Sequence, residues 1–325
     1  MRLLPSRRAC ACVLFAFAAA SAPSGTRAQT SNTFSFLRLD ASPRAAALAG
    51  ALDAVPTGDP AALFYNPALI AETPSGTLSL AYTNHLADLN AGALAYGREV
   101  KGVRAAVGVR FLSWGEFDEA DETGAKTGTF GASSLALTLG AARQQTDRLN
   151  VGASIHVITT GVSSYRATAA AADIGVTYAL PGALTVSAAV RNAGFALQSL
   201  GASTDELPLD VRVGVSKRLR YLPLLVTATG YDLQDPGAGP ADRSGFEQAL
   251  GHVGVGAELQ FSPAFNLRAG YSPRRNQELR TEKRLDTAGL GLGFGLGVRG
   301  FVLDYAFSSW SGNGALHQFA VRTRL

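Results

Sequence analysis

Cysteine is nearly missing from this chain of 325 residues. The two present, Cys10 and Cys12, stand close to the N-terminus. The remainder therefore holds no disulfide framework and no thiolate metal site. Neither cysteine follows a Leu-small-small triplet, which argues against lipid attachment there. Charge is scarce as well: Asp, Glu, Lys and Arg make up 17% of the residues, against about 25% in ordinary soluble domains. Nor does one sign dominate. The first 28 residues hold four of the 29 Lys+Arg and none of the 25 Asp+Glu, so beyond them the signs balance. That balance removes the basic face a nucleic-acid partner requires. Long apolar runs are lacking too. The most apolar stretch, Ala9 to Ala20, falls short of the roughly 20 residues that a membrane-crossing helix needs.

That short stretch reads instead as an export signal. Arg2, Arg7 and Arg8 precede it, and Thr26-Arg27-Ala28 offers a small-x-small cleavage site before Gln29. What remains is long enough for two soluble domains or one large barrel. Glycine is plentiful, 36 of 325 residues, well above the usual 7% or so.

From residue 77 onward the sequence has period two, the signature of strands that present separate faces. Leu135, Leu137 and Leu139 alternate with Ser134, Ala136 and Thr138. Ile155 and Val157 alternate with Ser154 and His156. Phe301, Leu303, Tyr305 and Phe307 alternate with Val302, Asp304, Ala306 and Ser308. Fourteen such runs are expected, near 77–84, 91–99, 102–114, 128–144, 147–162, 166–179, 182–193, 208–219, 222–233, 250–261, 264–275, 284–296, 298–309 and 313–325. Short turns, as at Lys101-Gly102, Asp147-Arg148, Pro181-Gly182 and Arg299-Gly300, alternate with longer connections, as at 115–127, 194–207, 233–249 and 275–283. An even strand count with short turns at one end and long loops at the other is the pattern of a bacterial outer-membrane barrel. One face is almost free of charge. The other carries Arg104, Arg110, Arg191, Arg212, Arg268, Arg299, Arg322 and Arg324 with Asp173, Asp210, Glu258 and Asp304. A cation facing lipid at the midplane costs about 2–4 kcal/mol, so the charged face is expected to line the lumen. The last run, with Phe319, Val321, Thr323 and Leu325 on one face, suits pairing with the first, which leaves no open edge.

The resulting expectation is an all-β, 14-stranded antiparallel transmembrane barrel, with 1–28 a cleavable signal, 29–75 an N-terminal plug and 76–325 the barrel, placed in the outer membrane and in contact with its lipids. Residues 29–75 do not alternate and are too few for a core of their own. An Ala-rich segment from Ser42 to Leu52 suits a helix, with Ser42 at the N-cap and Pro43 at N1. The plug's expected working residues are Ser42, Arg44, Asn66, Pro67 and Ala68. The glycines Gly289, Gly291, Gly293, Gly295 and Gly297 share the lumen face of one strand, where missing side chains would let a plug backbone approach or would permit curvature.

Two loops carry concentrated charge. Glu116, Asp118 and Asp121 belong to an acidic loop whose spacing does not fit an EF-hand. Arg274, Arg275 and Arg280 belong to a basic one. Both are candidates for contact with a partner, and both also read as ordinary solvated loops. The histidines His85, His156, His252 and His317 are dispersed. No nucleophile elbow, phosphate loop or metal-ligand spacing occurs. The expectation is a protein that is not an enzyme, with no catalytic residues, no metal and no cofactor.

Several phrases resemble a known family. They are TFSFLRLDASPRAAALAG (Thr33 to Gly50), YNPALI (Tyr65 to Ile70), RNAGFAL (Arg191 to Leu197), LPLDVRVGVSKRL (Leu207 to Leu219) and NLRAGYSPRRNQEL (Asn266 to Leu279). Together they resemble the PorV/PorQ family of the type IX secretion system, on its PorQ side, and more distantly the FadL long-chain fatty-acid transporters. The resemblance implies a fourteen-stranded barrel with an N-terminal hatch. It also implies an outer-membrane component of secretion and surface attachment that docks a PorZ-like cell-surface protein near PorU- and PorV-like components. The alternative it implies is a FadL-like transporter of hydrophobic compounds.

Overall fold

The computed structural model describes residues 33–84, 89–201, 204–237, 244–279, 286–310 and 314–325. The expected signal, His85 and the cations Arg280, Lys283 and Arg284 lie outside the described residues. Fourteen strands form: β1 (Thr77–Asn84), β2 (Asn90–Val100), β3 (Val103–Ala120), β4 (Lys126–Thr146), β5 (Leu149–Val162), β6 (Tyr165–Leu180), β7 (Leu184–Gln198), β8 (Asp210–Arg218), β9 (Leu224–Gly230), β10 (Val253–Ser262), β11 (Phe265–Tyr271), β12 (Leu290–Val298), β13 (Phe301–Ser309) and β14 (Ala315–Arg324). Each pairs antiparallel with its sequence neighbour. β14 returns to β1, running from Thr77 opposite Arg324 to Asn84 opposite His317, and closes the barrel. The closed ladder leaves no open sheet edge around the wall, as a lipid environment demands.

The two faces separate as the period-two pattern requires. Ile155 is 62% exposed on the outer face, while Ser154 and His156 on either side are 3% and 7% exposed. The tight turns at one end follow from local chemistry. Lys101-Gly102 and Arg299-Gly300 both place two consecutive residues at positive φ, 51° and 77°, then 48° and 90°. This is the type I′ hairpin that suits strand twist. It also corrects one expectation: Arg299 sits exposed at a turn tip rather than in the lumen, and Arg324 ends exposed at the same rim.

Three further departures have physical causes. The expected 115–127 loop is strand: β3 and β4 continue past their neighbours as a two-stranded hairpin, after a bulge at Ser113–Glu116. Its Phe117 and Phe130 stack at 5.4 Å. The 264–275 run stops at Tyr271 because Pro273 starts helix α3 (Pro273–Leu279), where proline suits the first turn. Within the expected 233–249 loop lies helix α2 (Gly245–Gly251), set by a capping box between Ser244 and Glu247.

Residues 33–76 fill the lumen. They contain three short 3-10 helices, η1 (Ser35–Arg38), η2 (Pro60–Phe64) and η3 (Pro67–Glu72), and one α-helix, α1 (Pro43–Ala47). The main buried cluster is the plug's own Leu48, Leu52, Val55, Leu63, Phe64, Tyr65 and Ile70, packed on lumen-facing alanines of the wall.

Candidate functional site: the plugged lumen and the β6–β7 wall

The plug is short of regular structure, so its backbone groups and its fit must be met locally. Ser42 caps α1 by accepting from the Ala45 N–H at 3.3 Å, with Pro43 behind it. The helix spans only Pro43–Ala47, not to Leu52. It ends where Ala49 and Gly50 turn to φ 53° and 82°. There the backbone of Leu48 and Ala49 lies flat on the wall. A Cβ on Gly270 would stand 2.4 Å from the Leu48 carbonyl carbon, so only a glycine permits the approach. Gly291 meets Ala46 and Ala47 in the same way, and Gly293 meets the Ala47 methyl. The other three glycines expected against the plug do not touch it. Gly289 turns the chain beside Ser272, Gly295 faces the Arg268 and Asp304 side chains, and Gly297 lies by Ala264. A helix of five residues reaches only the middle of the strand.

The rest of the plug rests on glycines of other strands, which the single-strand reading missed. Gly152 lies under the Pro67 carbonyl and the Ala68 N–H, Gly175 under the Asn66 amide, and Gly214 under Ala54. Gly108 and Gly140 lie under Phe64 and Leu63. Asn66 is the pivot of this half. Its Oδ1 accepts from the Ala68 N–H at 3.0 Å to cap η3, and its Nδ2 donates to the Asp53 carbonyl at 3.1 Å and to that of Val176 in the wall at 3.3 Å. The Tyr65 hydroxyl accepts from the Ala41 and Ser42 N–H groups at 2.7 and 3.0 Å, and burial pushes its phenol above the usual range.

The lumen charges form pairs that tie plug to wall. Arg44 donates through two nitrogens to Glu258, at 2.9 and 3.0 Å. Glu258 also accepts from Arg268 at 2.7 Å, and Arg268 reaches Asp304. Arg212 binds Asp210 at 2.6 Å and the plug's Asp53 at 3.2 Å. Arg110 donates to the carbonyls of Phe36, Leu37 and Leu39. Such buried pairs tolerate loss of one member poorly, because the other is left charged and unpaired.

At the long-loop end, α3 is fastened to the plug. Arg275 donates to Asp40 at 2.6 Å, and that carboxylate holds the guanidinium above its usual range. Arg274 binds Asp232 and Glu278, and Asp232 also accepts from the plug's Arg38 at 2.8 Å. Arg274 and Arg275, expected to face a partner, are thus turned inward. Among the described residues no bond joins them to Glu116, Asp118 or Asp121. Those lie on the β3–β4 hairpin, where Asp118 pairs with Lys126 and Asp121 accepts from the N–H groups of Thr123 and Ala125. No group of His, Cys, Asp and Glu side chains among the described residues is arranged to hold a metal.

One stretch of the wall is irregular. The β6–β7 ladder shifts register between Ala172 and Ile174, and Asn192 opposite takes φ 55°. Asp173 fills the irregularity by accepting from the Asn192 N–H at 2.7 Å and pairing with His156 at 2.8 Å. Outside lies an apolar groove of 440 Å³, lined by Leu137, Ile155, Ala170, Ala172, Gly194, Phe195 and others, with His156 at its floor. Inside, Phe34, Phe36 and Leu37 of the plug bury against Ala167, Ala169 and Ala171 of β6, with Leu112 and Ile158. Only the alanine-lined wall separates the two apolar spaces.

No protein family and no curated protein matches the sequence. Solved structures do match. The toluene transporter TodX of Pseudomonas putida aligns with 86% of this chain and 96% of its own, at 15% identity and a TM-score of 0.56. The monoaromatic hydrocarbon channel CymD aligns with 88% and 97%, at 14% identity and 0.57. A FadL homologue of Pseudomonas aeruginosa aligns with 87% and 98%, at 11% identity and 0.54. At these identities what is shared is architecture, and the chain has the closed fourteen-stranded fold of the FadL-like outer-membrane barrels.

Proposed function

We propose that the chain passes small hydrophobic compounds across the outer membrane. The observation that carries this reading is an apolar plug cluster packed inside the irregular β6–β7 wall with an apolar groove on its outer face. Phe34, Phe36 and Leu37 occupy an alanine-lined chamber, and the lipid-facing groove lies directly behind it. Withdrawal of these three side chains would leave an apolar chamber beside an irregular stretch of wall. Each is held by burial worth about 1.5–3 kcal/mol, which a solute of similar apolar surface would replace. The likeness in fold to TodX and CymD supports the same reading. The test is uptake of a labelled monoaromatic hydrocarbon by cells that lack their own such channel. Expression of the chain should raise uptake above vector cells. Ala172→Trp, which fills the outer groove, should return it to background while the barrel still folds. Equal uptake with and without the chain sinks the proposal.

A second reading rests on the overhanging β3–β4 hairpin. A solvent-exposed, acidic two-stranded projection suits docking of a surface protein. Under this reading the chain is an outer-membrane component of type IX secretion and attachment, holding a PorZ-like protein beside PorU- and PorV-like components. Co-purification of a PorZ-like protein with the intact chain, and its loss on deletion of residues 116–130, is the expected result. Retention by the deleted chain counts against it.

A further inference from the structure

The short-turn end of the barrel is strongly basic, and the basic side chains fall into two sets. One set stands at turn tips: Lys101, Arg148 and Arg299. The other continues the lipid-facing rows. In β2 the outward series Leu94, Tyr96 is followed by Arg98; in β4 Leu137, Leu139, Ala141 by Arg143; in β8 Val213, Val215 by Lys217. All three point outward: Arg98 lies opposite Ala105 and Lys217 opposite Leu184, and Arg143 lies opposite Val151, just before the β4–β5 register shifts at Gln144–Thr146. Each is exposed, and none has an ion-pair partner among the described residues. Tyr96, Tyr178, Phe261 and Phe301 also lie toward the short-turn ends of their strands, the kind of position aromatic side chains favour at an interface.

An outward cation one step past the apolar band sits where phosphates of the bilayer lie, with its methylenes against the acyl region. A water-borne acidic protein would instead approach along the barrel axis and meet the turn tips. We propose that Arg98 and Arg143, on strands separated only by β3, and Lys217, on the far side of the closed barrel, are binding points for the headgroups of anionic phospholipids in the periplasmic leaflet. The inference is independent of what the lumen carries. It gives the barrel a lipid preference at the end opposite its acidic hairpin, and it fixes the depth at which β2, β4 and β8 sit.

The test uses the full-length chain, delipidated in detergent and offered equal amounts of phosphatidylglycerol and phosphatidylcholine, with retained lipid counted by native mass spectrometry. Each basic side chain at an anionic surface is worth roughly fivefold. The unaltered chain should therefore retain phosphatidylglycerol about fivefold over phosphatidylcholine at each such position. Arg98→Gln should lose part of that preference, and Arg98→Gln/Arg143→Gln/Lys217→Gln nearly all of it. Arg98→Lys/Arg143→Lys should keep it, which separates charge from folding. Lys101→Gln/Arg148→Gln/Arg299→Gln should also keep it. Equal retention of both lipids by the unaltered chain overturns the proposal. So does an undiminished preference in the triple outward variant, or a loss confined to the turn-tip variant.

Discussion

Gly152 in β5 is occupied, in effect, by somebody else's backbone: a Cβ there would lie 2.4 Å from the Pro67 carbonyl carbon. Neither strand nor plug can give way cheaply, since the strand is held by ladders on both sides and η3 by the Asn66 cap. Gly152→Val should therefore release the plug rather than bend the wall, at a strain of about 1–3 kcal/mol. Limited proteolysis reads the result, as new cleavage within residues 33–76 while the barrel core stays resistant. Charge behaves differently at this scale. Arg268 is 5% exposed and serves both Glu258 and Asp304. Arg268→Leu leaves Asp304 without its cation, while Glu258 keeps Arg44, and should cost about 3–5 kcal/mol, measurable as a lowered unfolding midpoint in detergent. Replacing Asp304 as well, by Asn, should recover part of the loss.

Among the elements, the strands were legible in sequence because lipid on one side and a polar lumen on the other impose contrast on alternate residues. Where that contrast ends, legibility ends. The hairpin beyond Ser113 stands in water on both faces, so GEFDEADETGAKTGTFG shows no apolar row and reads as loop although it is paired from Glu116 opposite Gly131 to Ala120 opposite Lys126. Helix α3 is too short for a helical period, and its basic residues look solvated until Asp40 and Asp232 are brought beside them by the fold. The glycine row of β12 was visible as a pattern. The glycines beneath Asn66, Leu63 and Phe64 were not, because they form no row along one strand and each one's partner lies far away in sequence. Two tests belong here. Deleting residues 116–130 removes no buried residue and should leave the thermal midpoint of the barrel unchanged within about 0.5 kcal/mol. Asp40→Asn takes the anion from Arg275, and hydrogen exchange across Pro273–Leu279 should quicken about fivefold, as a partly exposed charge-assisted bond warrants. An unaltered exchange rate would place the fastening of α3 elsewhere.

For the molecule as a whole, closure decides what kind of object this is. The seam between β1 and β14 pairs Leu80 with Val321 on the outer face. No cysteine stands beyond position 12, so Leu80→Cys/Val321→Cys introduces a single unambiguous pair at a spacing suited to a disulfide. Oxidation should give near-complete intramolecular crosslinking of the folded protein and none of the urea-unfolded chain. An open sheet would leave both thiols free.

The same seam sets an order of events. Thr77 meets Arg324 across a sequence separation of nearly the full barrel, the contact that loop-closure entropy makes slowest to form. The plug joins the wall at that seam, through Gly76, whose N–H bonds to Gly97 and whose carbonyl accepts from Leu325. Until β14 arrives, the ring of glycines is an open trough into which residues 33–76 can be laid sideways. After it arrives, the only way in is end-on, past the ion pairs. The stopper is thus seated during construction, and its fit to the glycines is tested before the wall is sealed.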